Sequence, residues 1–214
     1  ENLLRRLPLQ YLRYTRYSAR MNKIILASQS EVRKRILVEN GVICSVMPSK
    51  IDEEIIKSSL LSKGATPEYI SKNLAELKAN KISNKRPEEL VIGADSVIDL
   101  NGELLSKPRS REEALSSLKK MNGKKHLLIS SVCISKNGAM IWNYTDKAEL
   151  KMKNFNEDQL KNYLLKISDK DLYAYNVYQI EGEGKNLFSE IKGDKNTIMG
   201  LPISRIKKYL QENE

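Results

Sequence analysis

An aspartate lies inside an apolar, β-branched run. Residues 90–98 read Leu-Val-Ile-Gly-Ala-Asp-Ser-Val-Ile, the pattern of a strand covered on both faces. Gly93-Ala94 leaves room for something large beside the backbone. Asp95 is costly there unless a cation or hydrogen bonds compensate its charge. Four other groups of residues are its candidate partners. Ser28, Ser30 and Arg33 sit where a strand turns into a helix, either an ordinary serine cap with an exposed arginine or, with hydroxyls and a guanidinium at a helix N-terminus, an anion site. Lys78 continues the stripe of Ile70 and Leu74 at helical spacing, so it either snorkels to water or points into a cleft. Lys107, stiffened by Pro108, follows a turn that can fold back towards Asp95, unless it is an ordinary surface lysine. Asp52-Glu53-Glu54 is a solvated loop or helix start, or with Asp95 a holder of a divalent cation. Further on, Gln179 offers a donor and an acceptor for a base edge or a water, and Gly182 and Gly184 permit close approach of a ligand.

These residues need elements to position them. Residues 23–27 read as a buried strand, Ser30 as the cap of a helix over 31–39 closed by Gly41, and 42–47 as a second strand. Thr66-Pro67 starts a helix reaching about 83. Asn101-Gly102 and Asn137-Gly138 mark hairpins, the second between strands 126–135 and 139–151. Ser110 opens a helix to 121 and Asn156 one to 166. Residues 168–186 read mostly as loop, followed by a strand near 187–192 and a helix near 202–211. Two hairpins among alternating strands and helices predict an α/β fold, a mixed twisted sheet flanked by helices.

With 214 residues, 40% hydrophobic and 30% charged, the chain suits one large domain or two lobes around a cleft. No apolar run approaches the roughly 18 residues of a membrane helix. Cys44 and Cys133 read as buried thiols of a reducing compartment, so a cytoplasmic protein is expected. A single histidine, His126, excludes a multi-histidine metal site, and carboxylates favour Mg2+ or Mn2+ over zinc. The net charge is +10. Residues 1–20 carry five arginines against Glu1, a balance of +4, in a segment whose helical pattern breaks at Pro8. We read them as a basic extension outside the fold, similar in composition to a mitochondrial presequence, with Met21 as the native start and residues 21–214 as the domain. Neither a phosphate loop nor a dinucleotide fingerprint occurs.

In order along the chain, these pieces resemble the Maf family of nucleoside triphosphate pyrophosphatases. The family's L-A-S-x-S-P-x-R-R is matched by residues 26–34, with Glu31 for proline and Lys34 for the second arginine. Asp52-Glu53, Lys78-Ala79, Gly93-Ala94-Asp95-Ser96-Val97 and Lys107-Pro108 match its D-E, K-A, G-A-D-T-V and K-P. Gly123 to His126 match G-x-x-H, Tyr175 to Gly182 the Y-x-x-Q-G region, and Gly200-Leu201-Pro202 the closing G-L-P. The resemblance implies a Maf/ITPase-like fold and hydrolysis between the α- and β-phosphates, giving a nucleoside monophosphate and pyrophosphate. It further implies phosphate binding by Arg33, Lys78, Lys107, Ser28 and Ser30. Asp95 with Glu53 would hold the cation and activate water, and Gln179 would position phosphate or water. Val32 and Arg35 depart from the commonest first motif and resemble the branch in which some members act on 7-methyl-GTP. The resemblance also implies a house-cleaning role that prevents incorporation of modified nucleotides and, since relatives are often dimers, a homodimer. No membrane association or stable nucleic acid complex is expected. Two other classes stay open: a basic domain binding nucleic acid, with Tyr173, Tyr175 and Tyr178 stacking bases, and an inactive scaffold linked to cell division.

Overall fold

A computed structural model of the chain describes residues 23–174 and 177–213. The basic segment 1–20, Met21 and Tyr175 lie outside the described residues. β1 (Ile24–Leu26) leads through Ser28-Gln29-Ser30 into α1 (Glu31–Glu39), whose first turn is capped by the Ser30 side chain accepting from Arg33 N. β2 (Ser45–Val46) is shorter than the 42–47 expected. It is an edge strand: Ile43 is turned out to solvent, Val42 is turned into the core, and only two residues pair with β1. Next come α2 (Glu53–Ser62), capped by Asp52, and α3 (Pro67–Ser83), capped by Thr66 with proline at its first position.

β3 (Leu90–Leu100) and β4 (Glu103–Leu105) meet at Asn101-Gly102, both with positive φ as a tight hairpin requires. After α4 (Arg111–Met121), the long hairpin of β5 (Lys125–Lys136) and β6 (Ala139–Met152) turns at Asn137-Gly138. α5 (Glu157–Leu165) carries a full capping box from Asn156 and Gln159. The stretch expected as loop contains α6 (Asp169–Ala174) and a 3-10 turn (Glu183–Leu187). β7 (Phe188–Lys192), the one-turn α7 (Lys195–Ile198) and α8 (Ile203–Glu212) complete the described chain.

The strands form one mixed sheet in the order β2-β1-β3-β5-β6-β7, with β4 also on β3. β2, β1 and β3 are parallel, and the remaining pairs are antiparallel. β3 organises the molecule. On one edge it pairs with β5 from Val91 to Asp99. On its other edge β1 pairs with residues 90–92 and β4 with residues 98–100. The stretch 93–97 between them has no strand on that edge among the described residues, and this gap opens the sheet into a cleft. Two lobes flank it. In one, both faces of residues 90–94 are buried, Leu90, Ile92 and Ala94 against α1 and α8, Val91 against α3. In the other, Ile98 and Leu100 pack with Leu105, α4 and α5.

Candidate active site

Asp95 stands in the gap, in the middle of β3, and is 5% exposed. What brings a partner to it is Gly93. A side-chain carbon at Gly93 would lie 2.2 Å from Ala75 O and 2.7 Å from Ala79 N. The large neighbour that the Gly93-Ala94 pair admits is therefore helix α3, lying backbone against backbone on the strand. Side chains on a helix lean towards its N-terminus, and Lys78, between Ala75 and Ala79, reaches Asp95 in this way. Its Nζ lies 2.8 Å from Asp95 Oδ1, 2.9 Å from Glu53 Oε1 and 3.5 Å from Ala94 O. Of the two readings of Lys78, the cleft is the observed one.

Glu53 arrives from a different direction. The loop after β2 carries Lys50 in the left-handed region, φ 49°, and Lys81 Nζ donates to its carbonyl at 2.9 Å. The turn delivers Asp52 as a helix cap and sets Glu53 in the first turn of α2. Burial acts to raise the Glu53 pKa, but the Lys78 ammonium, aided by Lys57 and Lys107, outweighs it and holds the carboxyl below its usual range.

Across the cleft, Arg33 projects from α1. It donates through Nε to Gly200 O at 2.9 Å, through Nη1 to Ser28 Oγ at 3.3 Å and through Nη2 to Ser96 Oγ at 3.1 Å. All three acceptors are neutral, and Arg33 makes no ion pair with any described residue. Desolvation lowers its pKa against the attraction of Asp95 and Glu53. Ser28 Oγ also accepts from Ser30 N at 3.2 Å, and Ser30 Oγ from Arg33 N at 3.3 Å. Both hydroxyl oxygens are occupied as acceptors, which leaves their protons for an anion. Lys107 follows β4 and lines the cleft as well. Its end is open to solvent within the concavity; desolvation there, followed by the Arg33 charge, lowers its pKa below that of an ordinary lysine.

A polar band crosses the sheet at this level. Asp95, Ser131 and Thr145 are in register on the face towards α3, and Ser96, Ser130 and Asp146 on the other. On the first face Ser71 Oγ lies 3.2 Å from Asp95 O and 2.9 Å from Ser131 Oγ, and Ser131 Oγ 2.9 Å from Thr145 Oγ1. On the second, Ser96 Oγ meets Ser130 Oγ at 2.8 Å, and Ser130 donates to Thr197 O at 2.7 Å. Asp95 Oδ2 is buried without a partner among the described residues.

The cleft holds about 660 Å³. Ser28, Ser30, Arg33, Glu53, Lys78, Asp95 and Lys107 all line it. Gln179 does not. Its backbone packs on Gly184, where an added side-chain carbon would lie 2.6 Å from Gln179 O; at Gly182 such a carbon would meet Gln179 Oε1 at an ordinary contact distance of 3.7 Å. The close approach expected for a ligand at Gly184 is thus made by the chain itself. Tyr178, one residue before Gln179, lines the cleft instead, as do Lys170, Asp171 and Tyr173 from the second lobe. Tyr178 is anchored from behind by His126, whose Nε2 lies 2.8 Å from its hydroxyl. His126 is 2% exposed, and burial pushes its pKa down to about 4, which makes it a neutral core residue. Cys133 is buried as expected, its thiol pushed up to about 11 by burial, whereas Cys44 is half-buried; both are free.

A model of the family described as "Maf-like protein" matches residues 23–213. The chain belongs to the Maf-like family. A nucleoside triphosphate pyrophosphatase of Pelagibacter ubique is 67% identical over 191 residues, covering 89% of this chain and 98% of the relative. A protein of the same name from Ruegeria pomeroyi is 38% identical, covering 87% and 94%. A 7-methyl-GTP pyrophosphatase of Rhizobium etli is 35% identical, covering 89% and 96%. In this Maf-like chain the sequence reasoning missed Ser96 and Gly200 as anchors of Arg33. A signal existed in Gly200, whose φ of 105° suits glycine and directs its carbonyl to Nε.

Proposed function

We propose that the chain is a nucleoside triphosphate pyrophosphatase that cleaves the α–β phosphoanhydride, releasing a nucleoside monophosphate and pyrophosphate. One observation carries this reading: Lys78 ties two carboxylates together at the base of a cleft that also holds Arg33 and Lys107, neither ion-paired among the described residues. A triphosphate brings about four negative charges, and phosphoryl chemistry rests mainly on positioning and charge stabilisation. The names of the relatives favour the same activity.

In this reading Arg33, held in a fixed plane by Gly200, Ser28 and Ser96, grips phosphate oxygens, helped by the Ser28 and Ser30 hydroxyls. Lys107 neutralises the leaving pyrophosphate. Asp95 orients the attacking water and takes its proton at Oδ2, the oxygen without a partner. Lys78, 2.8 Å from Asp95 Oδ1 and 2.9 Å from Glu53 Oε1, fixes the two carboxylates relative to each other for that task. The donor set fits a divalent cation. No group of three potential metal ligands exists among the described residues, so Glu53 and Asp95 would hold Mg2+ or Mn2+ together with phosphate oxygens, as these ions prefer. When bound, the cation supplies charge neutralisation at the phosphates. Gln179, set back from the cleft wall, has no assigned contact.

Tyr173 and Tyr178 line the cleft on the second lobe, and in this reading they form an aromatic wall for the base, canonical or modified. No described helix is long and apolar enough to cross a membrane, and the proposed enzyme acts in the cytoplasm on free nucleotides. The deciding experiment is incubation with Mg2+ or Mn2+ and a panel of canonical and modified triphosphates, reading pyrophosphate. Release from at least one nucleotide is expected; none from any, with folded protein, would refute the proposal.

A further inference from the structure

The Lys78 ammonium has three donors and three acceptors: Asp95 Oδ1, Glu53 Oε1 and, at 3.5 Å, Ala94 O. Its side chain is 7% exposed, enclosed by α3 and β3. The ammonium thus stands between the two carboxylates that would hold a divalent cation. Charge around them is already balanced beyond neutrality. Three cations, Arg33, Lys78 and Lys107, face two carboxylates, Glu53 and Asp95, a balance of +1. Lys57 lies 3.9 Å from Glu53 but is offset by Glu54 at 3.4 Å, which leaves the balance unchanged. A bare dication entering this site would meet an ammonium a few ångströms away in a partly desolvated place, where repulsion is poorly screened. A triphosphate reverses the balance and gives Lys78 new acceptors, so a carboxylate oxygen can be released to a metal.

We propose that Lys78 bars a free divalent cation from the Glu53–Asp95 pair and that the cation enters only with a polyphosphate. The inference rests on the pyrophosphatase reading and adds an order of binding to it. Lys78 is thereby a gate as well as a catalytic residue: the metal site is incomplete and guarded until the nucleotide arrives.

The test uses the full chain and Mn2+, followed by loss of the free-ion paramagnetic resonance signal. Wild type should bind Mn2+ weakly alone and strongly with a triphosphate analogue whose α–β bridge cannot be hydrolysed, the signal lost to the analogue without protein being subtracted. Lys78→Met should bind Mn2+ without nucleotide on the order of a hundredfold more tightly than wild type, because the competing charge is gone. Lys78→Arg, which keeps the charge, should behave as wild type. Adding Glu53→Gln to Lys78→Met should abolish the gain. Circular dichroism establishes folding, and if Lys78→Met does not fold, Lys78→Gln, neutral but polar, takes its place with the same expected gain. Wild type binding Mn2+ equally well with and without the analogue would overturn the gate, as would a folded Lys78→Met without any gain. Pyrophosphate release separates the two levels. Release with tight binding of Mn2+ alone defeats only the gate, and absence of release from every nucleotide defeats the activity beneath it.

Discussion

Gly93→Ala should damage stability and catalysis together, because one contact serves both. The new methyl carbon would lie 2.2 Å from Ala75 O, 2.7 Å from Ala79 N and 2.9 Å from Ala79 Cβ. Ordinary contact is about 3.5 Å, so α3 has to retreat by roughly 1 Å. Two of the three atoms belong to the helix backbone, which no rotamer change can clear. Overpacking costs about 1–3 kcal/mol, and the top of that range, about 3 kcal/mol, applies here. For a chain of this size that lowers the melting temperature by roughly 6–12 °C. The same retreat carries the root of Lys78, which lies between Ala75 and Ala79, and stretches its contacts of 2.8 Å to Asp95 and 2.9 Å to Glu53. A misplacement of about 1 Å can cost on the order of a hundredfold in turnover. Thermal unfolding by circular dichroism and pyrophosphate release below the transition measure the two effects. An unchanged melting temperature would refute the packing argument, and a lowered one with wild-type kcat would refute the claim that α3 sets the catalytic geometry.

Asp95→Asn should fold and lose about two to four orders of magnitude in kcat, the usual scale for a general base; near wild-type pyrophosphate release from folded protein would remove Asp95 from that role. The Lys107 pKa is lowered chiefly by desolvation and then by Arg33, so activity that needs its charge should fall as pH rises, at a lower pH than an ordinary lysine would dictate. Lys107→Arg should move that alkaline limb upward in the pH–rate profile, and an unmoved limb would assign it to another group. His126 titrates at about 4 in the folded protein against 6.5 for a free histidine. Between those values the unfolded chain binds more protons, so the contribution of His126 is complete above pH 6.5 and lost as pH falls to about 4. The loss amounts to about 3 kcal/mol. His126→Phe should flatten that part of the unfolding free energy plotted against pH, whatever it costs overall by orphaning the Tyr178 hydroxyl; an unaltered slope would mean that other groups produce it.

Local signals marked the elements well because each has a local cause. Thr66-Pro67, Asn101-Gly102, Asn137-Gly138 and Asn156 act through their own backbone, and the structure uses each as the sequence suggests. Asp95 and Lys78 could be nominated for a similar reason: a charge inside an apolar pattern is visible without knowing its neighbours, and Glu53 stood out as part of an acidic run. What was hidden depends on pairing at a distance. Gly93-Ala94 announced a large neighbour but not which one, because the periodicity of α3 does not say which strand it lies on. Gly184, expected to admit a ligand, has Gln179 of its own loop as its close neighbour. The short α6 and α7 have too few turns for a period to emerge. The gap in the sheet is the least local feature of all, since it exists only because β1 leaves β3 at Ile92 and β4 joins at Ile98. Yet one trace of it was present. Ser130 and Ser131 interrupt the apolar run of β5 as Asp95 and Ser96 interrupt β3, and the antiparallel register sets the two interruptions opposite each other. Two polar pairs in strands that are otherwise buried are costly apart and mutually satisfied together. Matching such interruptions between strands predicts the register, and the register then places the cleft at the level where both cores stop.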